Sequence, residues 1–194
     1  MLKTKLEGRF ELSAGLWEEI AASAKQINLK KGEVLIPYCS LQKAAYPIIS
    51  GSLKQSLIHS NGTKTATWFF FEHIFNVLVC FDSYSLNEYT KYEVTALEDT
   101  VVFEIKKDRV EDWAERFPSF SRFYRNDCIG SFFMFSEIRN HMVSHSALEF
   151  VQYLRKYYPN IINKVPSKYL AEFMGITPEW LSKLKKRRLL EATG

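Results

Sequence analysis

Residues 170–188, LAEFMGITPEWLSKLKKRR, leave the C-terminal end of the chain few structures to adopt. An apolar helical pattern, Leu170, Ala171, Phe173 and Met174, stops at Gly175 and restarts at once with Thr177, Pro178 and Glu179. It then runs into five basic residues within six positions, Lys183, Lys185, Lys186, Arg187 and Arg188. Glycine takes the left-handed conformation that ends a helix at least cost. A threonine hydroxyl can cap the next helix, and proline suits its first turn, where a missing N–H costs nothing. The spacing predicts two short helices crossing steeply, with Ala171 small at their contact and Leu170, Met174, Ile176, Leu181 and Leu184 inside. This is a helix-turn-helix, whose second helix enters the major groove with its N-terminal residues at base edges.

That second helix leaves Glu179, Trp180, Ser182, Lys183, Lys186 and Arg187 outside. Lys183 can donate to guanine O6 and N7, and Glu179 can accept from cytosine N4. Ser167, Lys168, Thr177, Lys186 and Arg187 suit phosphates, and Pro178 and Ser182 complete the candidate DNA surface. Two readings stay open for Glu179, a base contact or a first-turn residue favoured by the helix dipole. Trp180 either packs on a sugar or thymine methyl or plugs the domain core.

The net charge of +4 is unevenly placed. Residues 1–163 carry 19 Lys/Arg against 19 Asp/Glu, whereas residues 164–188 hold seven basic residues against Glu172 and Glu179. Excess charge in one short segment marks a polyanion-binding element, though a basic run by itself also fits a solvated helix end. No apolar run approaches the ~20 residues of a membrane span, and MLKTKLEGRF has no signal-peptide core. A soluble, cytoplasmic protein without membrane partners is expected. Cys39, Cys80 and Cys128 are widely separated and form no C-x-x-C pair, so buried free thiols are expected, with no metal and no cofactor.

Upstream, residues 13–24 read as a short helix capped by Ser13, with Leu16, Trp17 and Ile20 on one face. Strand-like runs follow at 33–37, 44–50, 52–59, 64–71, 92–97 and 100–106, rich in β-branched and aromatic residues. Ser60-Asn61-Gly62 signals a hairpin. In the last run Val101, Phe103 and Ile105 alternate with Val102, Glu104 and Lys106, as in a strand with one wet face. Many short strands at close spacing argue for a sandwich or barrel-like roll.

After Lys107 the period changes. Asp108 and Glu111 form a capping-box-like pattern opening a short helix that Pro118 interrupts. Residues 119–144 lack proline and strong turn signals and predict one helix of about seven turns. Phe120, Tyr124, Met134 and Ile138 fall on one face, and Cys128, Phe132, Phe135 and Met142 on another. A helix apolar on two sides needs two covers, which makes a homodimer economical, with Phe120, Tyr124, Met134, Phe135 and Ile138 the candidate dimer residues. Gly130 fits either close helix contact or a tolerated glycine. Ser146 and Glu149 form a second capping box, opening a helix with Phe150, Val151 and Leu154 inside that ends near Pro159; two shorter helices complete the chain. His145 marks a hinge.

A roll, a long helix and a C-terminal helix-turn-helix, in that order, resemble the family of the cyclic-AMP receptor protein and the fumarate-nitrate regulator. LKKGEVLI, YPIISGSLKQ, TALEDTVVFEI and VPSKYLAEFMGITPEWLSKLKK carry the likeness, which covers nearly the whole chain. The resemblance implies an α+β fold. Its parts would be an N-terminal double-stranded β-helix (jelly-roll, cyclic-nucleotide-binding-like) domain at 1–117, a dimerisation helix at 118–144 and a helix-turn-helix domain at 145–194. It also implies a homodimeric transcription regulator whose partners are double-stranded DNA and RNA polymerase.

The decisive cyclic-nucleotide motif differs. HIFNVLVCF puts Asn76 and Val77 where the family has Gly-Glu, and EYTKYEVTAL puts Thr90 and Lys91 where it has Arg-Ser. Val77 cannot bond a ribose hydroxyl, and Lys91 offers a point charge rather than a planar fork, so cyclic AMP is not the expected effector. The N-terminal cysteine group of the iron–sulfur branch is absent, and the β-hairpin wing is expected to be missing or vestigial. Phe75, Asn76, Val77, Leu78, Thr90 and Lys91 are the candidate effector pocket. With Phe81, Tyr89 and Tyr92 they suggest an apolar or aromatic effector, or else simply fill the core.

Two other classes compete. A metal-dependent β-barrel enzyme would need clustered ligands, yet the roll offers only His59 and His73. His141 and His145, four apart, fit a structural hinge pair better than a metal site. A sensor or interaction protein that no longer reads DNA is the other alternative. No catalytic motif occurs, so no enzyme activity is expected.

Overall fold

The computed structural model describes residues 2–74 and 76–191. The chain begins with α1 (Leu2–Glu7) and α2 (Ala14–Ser23), then β1 (Lys25–Leu29), β2 (Val34–Ile36), β3 (Ala44–Ser50), β4 (Ser52–Ile58), β5 (Lys64–Phe71) and β6 (Val77–Leu78). After α3 (Phe81–Leu86) come β7 (Tyr92–Ala96), β8 (Thr100–Lys106), α4 (Lys107–Arg116) and α5 (Pro118–Ser144). The last helices are α6 (Ala147–Tyr157), α7 (Pro159–Lys164), α8 (Ser167–Met174) and α9 (Pro178–Glu191). Three helices, not two, thus follow α6, because Pro159 at a first helical position starts α7.

The strands form two antiparallel four-stranded sheets, ordered β1-β8-β3-β6 and β2-β7-β4-β5, as a jelly roll. Tyr46, Ile48, Leu78 and Val102 of the first sheet share a buried cluster with Leu53, Phe71, Val94 and Ala96 of the second. Each of the Val, Leu, Ile and Phe side chains contributes about 1.5–3 kcal/mol by leaving water. Along β3 the alternation is direct: Ala44, Tyr46 and Ile48 enter that cluster, while Ala45 and Ile49 enter a second one with Leu16, Ile20, Val110 and Trp113. The β4–β5 hairpin turns at Asn61-Gly62, where Gly62 has φ 80° and Asn61 Oδ1 accepts the Thr63 N–H at 3.0 Å.

Strand β8 departs from its sequence reading. Val102 faces the other sheet, Ile105 lies under α2 and α4, and Val101 and Phe103 pack beside it. Helices cover the Val101, Phe103 and Ile105 side, while on the side that alternation assigned to solvent Val102 is buried, Glu104 half-buried and Lys106 exposed. The capping box expected at Asp108 and Glu111 does not form: α4 starts at Lys107, whose N–H donates to Lys43 O at 2.8 Å. Asp108 accepts from Arg109 N–H instead, and Glu111 lies 3.5 Å from Lys107 Nζ. Of the three thiols, only Cys80 is buried, and burial pushes its pKa up to about 11; Cys39 and Cys128 are exposed.

Helix α5 spans 27 residues and connects the roll to the C-terminal helices. Ile138 lies in the cluster that continues from the roll into Phe150, Leu154, Leu170 and Leu184, so roll and C-terminal helices pack as one body of apolar contacts. The Ser146–Glu149 capping box is present, with Glu149 Oε2 accepting the Ser146 N–H at 2.8 Å.

Candidate nucleic-acid interface

Gly175 ends α8 with φ 65°, its N–H bonded to Glu172 O at 3.1 Å and the Ile176 N–H to Ala171 O at 3.0 Å. Those bonds satisfy carbonyls that the end of a helix would otherwise leave open. Thr177 Oγ1 then accepts the Trp180 N–H at 3.2 Å, and Pro178 opens α9. Leu170, Ala171, Leu181 and Leu184 are buried between the two helices. Locking these four inward sets the rotation of α9 and so decides which side chains remain outside.

Thr177, Pro178, Glu179, Ser182, Lys183 and Lys186 are exposed, as are Ser167 and Lys168 at the start of α8. Trp180 is 40% exposed and does not plug the core. The side chain of Arg187 lies outside the described residues. Ser167 Oγ accepts from Lys185 Nζ at 3.3 Å, and the same ammonium donates to Ile162 O at 3.4 Å. Burial, with the charge of Arg155, pulls the Lys185 pKa down. One member of the basic run is therefore a tie between α9 and α7–α8, which residue type alone does not reveal. Lys164 turns toward Glu98 at 4.0 Å. Lys183 and Lys186 hold the outer side of α9.

Helix α8 also docks on the roll. Glu172 Oε2 accepts the Ala66 N–H at 3.2 Å, Lys54 Nζ sits 3.8 Å from the Tyr169 ring centroid, and Phe173 meets Trp68 and Phe69 edge-on at 5.8 and 5.6 Å. Burial lowers the Lys54 pKa, partly offset by Glu172 and Glu93. Local sequence carries no signal for this seam, whose members lie about a hundred positions apart.

On α5, Phe120 and Tyr124 pack with Trp113 and Phe123, Ile138 and Met134 join the cluster leading to the C-terminal helices, and the Phe135 ring lies 4.4 Å from that of Trp68. Of the candidate dimer residues Phe120 and Ile138 are buried within the protomer, Tyr124 and Met134 are half-buried, and Phe135 is 47% exposed. Ile129, Phe132 and Phe133 are also open, Phe132 at 73% exposure, and Cys128 and Val143 lie exposed on the same helix. Open space surrounds Gly130 within the protomer.

The candidate effector residues differ in burial and partners. Leu78 and Thr90 are buried in the roll, Val77 pairs with Pro47, Lys91 is exposed, and Asn76 turns to Arg9. Phe75 lies outside the described residues. Phe81 and Tyr89 are exposed. The His141 ring stacks on Tyr153 at 3.7 Å and lies 4.7 Å from that of His145, which shares a hydrogen bond with Ser144 Oγ at 2.8 Å. Among the described residues no helix is long and apolar enough to cross a membrane.

No family model and no curated protein matches the sequence. Solved structures do match in fold. FixK2 from Bradyrhizobium japonicum aligns at TM-score 0.72 and 15% identity, over 87% of this chain and 86% of that one. A regulator assigned to the Crp/Fnr family from Eubacterium rectale aligns at 0.65 and 14%, over 93% and 85%. CLP, a c-di-GMP-responsive global regulator from Xanthomonas campestris, aligns at 0.67 and 11%, over 93% of each chain. The chain therefore has the fold of the Crp/Fnr transcription regulators: a cyclic-nucleotide-binding-like roll, a long helix and a helix-turn-helix.

Proposed function

We propose that the protein is a homodimeric, DNA-binding transcription regulator, with residues 1–117 as sensing roll, 118–144 as dimerisation helix and 145–194 as reading domain. The observation that carries this is the outer face of α9. Its inner side is held by Leu181 and Leu184, which leaves Glu179, Lys183 and Lys186 exposed where a groove-reading helix needs them. Lys183 reads a base edge. Lys168, Thr177 and Lys186, with Arg187, hold phosphates and set register. An effector other than cyclic AMP and contact with RNA polymerase follow as parts of the same reading.

Dimer formation is supported by the exposed Ile129, Phe132 and Phe133 on α5, an apolar surface that a second copy of the helix would cover. Two α9 helices then address half-sites about one helical turn, ~34 Å, apart. The test is selection of DNA from a random pool, followed by titration at several salt concentrations. Several phosphate contacts give a steep fall of log K with log salt. A shallow slope with no enriched sequence would favour a protein-binding role instead. In parallel, Phe132→Glu should shift sedimentation from dimer to monomer and weaken binding to a two-half-site DNA far more than to a single half-site.

A further inference from the structure

A cavity of about 580 Å³ opens where the N-terminal segment, the β5–β6 loop, the middle of α5 and the end of α6 meet. That volume lies within the ~300–1,000 Å³ of small-molecule sites. Arg9, Glu72 and Asp127 supply its charged groups, His73 an imidazole, and Tyr157 and Tyr158 its aromatic wall. Arg9 is committed to its neighbours. Its Nη1 donates to Asn76 Oδ1 at 3.1 Å, its Nη2 pairs with Asp127, and its guanidinium lies 4.8 Å from the Phe123 centroid.

The carboxylates present a different balance. Glu72, 3.1 Å from His73 Nε2, and Asp127 line the same space and outnumber the guanidinium. A carboxylate accepts up to about four hydrogen bonds, so one pairing does not exhaust Asp127. Tyr157 is 55% exposed and already holds Lys156 Nζ at 4.9 Å from its ring centroid, a sign that its face attracts positive charge. We propose that this cavity binds a small organic cation, an amine or quaternary ammonium on an apolar body. Asp127 and Glu72 meet its charge, and Tyr157 and Tyr158 its apolar part.

The walls come from the roll, α5 and α6, so an occupant touches both the sensing and the reading parts. Its role as effector rests on the regulator reading above; the binding itself does not. The test uses the full chain, without DNA, titrated calorimetrically with benzyltrimethylammonium and, as an anion of related shape, benzoate. The cation should bind at least about tenfold more tightly, a margin set by the cation–π and charge contributions. Asp127→Asn should weaken the cation and, by releasing Arg9, strengthen benzoate. Tyr157→Ala, at an exposed position, should weaken the cation severalfold while circular dichroism stays unchanged. Equal binding of the two probes, or cation binding untouched by Tyr157→Ala, would overturn the site. DNA affinity that is unchanged by a bound cation would overturn the effector role alone.

Discussion

Glu172 on the first helix of the helix-turn-helix accepts the backbone N–H of Ala66 on the outer strand of the roll, at 3.2 Å. Beside it Phe173 packs against Trp68, Phe69 and Phe150. Leaving the Ala66 N–H without its acceptor costs about 1–3 kcal/mol. Glu172→Ala should lower unfolding free energy by that order, and Phe173→Ala by ~2–4 kcal/mol, since the ring is only partly buried. Because the two residues share one seam, their double variant should deviate from additivity. Strictly additive urea midpoints would show that the seam does not act as a unit.

Lys54 makes stability depend on pH. Burial first, and nearby lysines last, depress its folded-state pKa below the ordinary lysine value of 10.5. The folded chain thus binds fewer protons than the unfolded one between the depressed value and 10.5, so stability rises with pH through that window. Below it the penalty on the charged form is fully present. Lys54→Met removes the penalty, and its stability advantage over wild type should be greatest at neutral pH and shrink toward pH 10.5. A difference that stays constant in paired denaturant titrations contradicts this.

Two glycines separate conformational cost from steric cost. Gly175 has φ 65° with nothing near an added Cβ, so Gly175→Ala should cost about 1–2 kcal/mol for the left-handed backbone. Gly51, between β3 and β4, has φ 91°, and a Cβ there would overlap Thr100 Oγ1 and lie 2.7 Å from Asp99 O. Gly51→Ala should therefore destabilise clearly more than Gly175→Ala. Similar thermal midpoints for the two would argue that the β3–β4 turn relaxes freely.

Lys183 and Lys186 should fail in different ways. Lys183→Ala should flatten sequence preference at one position per half-site, by about 1–3 kcal/mol of discrimination. Lys186→Ala should weaken all sequences alike and reduce the salt slope by about one per protomer. Binding measured on a panel of single-base variants tells these apart, and swapped phenotypes would require a different rotation of α9.

Local chemistry made several elements legible. The bounds of β3, β5 and β8, the Ser146 capping box and the Gly175–Thr177 turn all depend on bonds and propensities within a few residues, and the order of roll, long helix and helix-turn-helix followed from them. Strand β1, KQINL, shows little pattern by itself and exists because β8 offers it an edge to pair along Lys25↔Glu104 to Leu29↔Thr100. Which face of α5 stays open, why Val102 of β8 is buried on the side assigned to solvent and why Lys185 turns inward were decided only in three dimensions. Arg9 reaches Asp127 and Glu172 reaches Ala66 across separations of 118 and 106 positions. Burial depends on which distant surface arrives, and no window of neighbouring residues encodes that arrival.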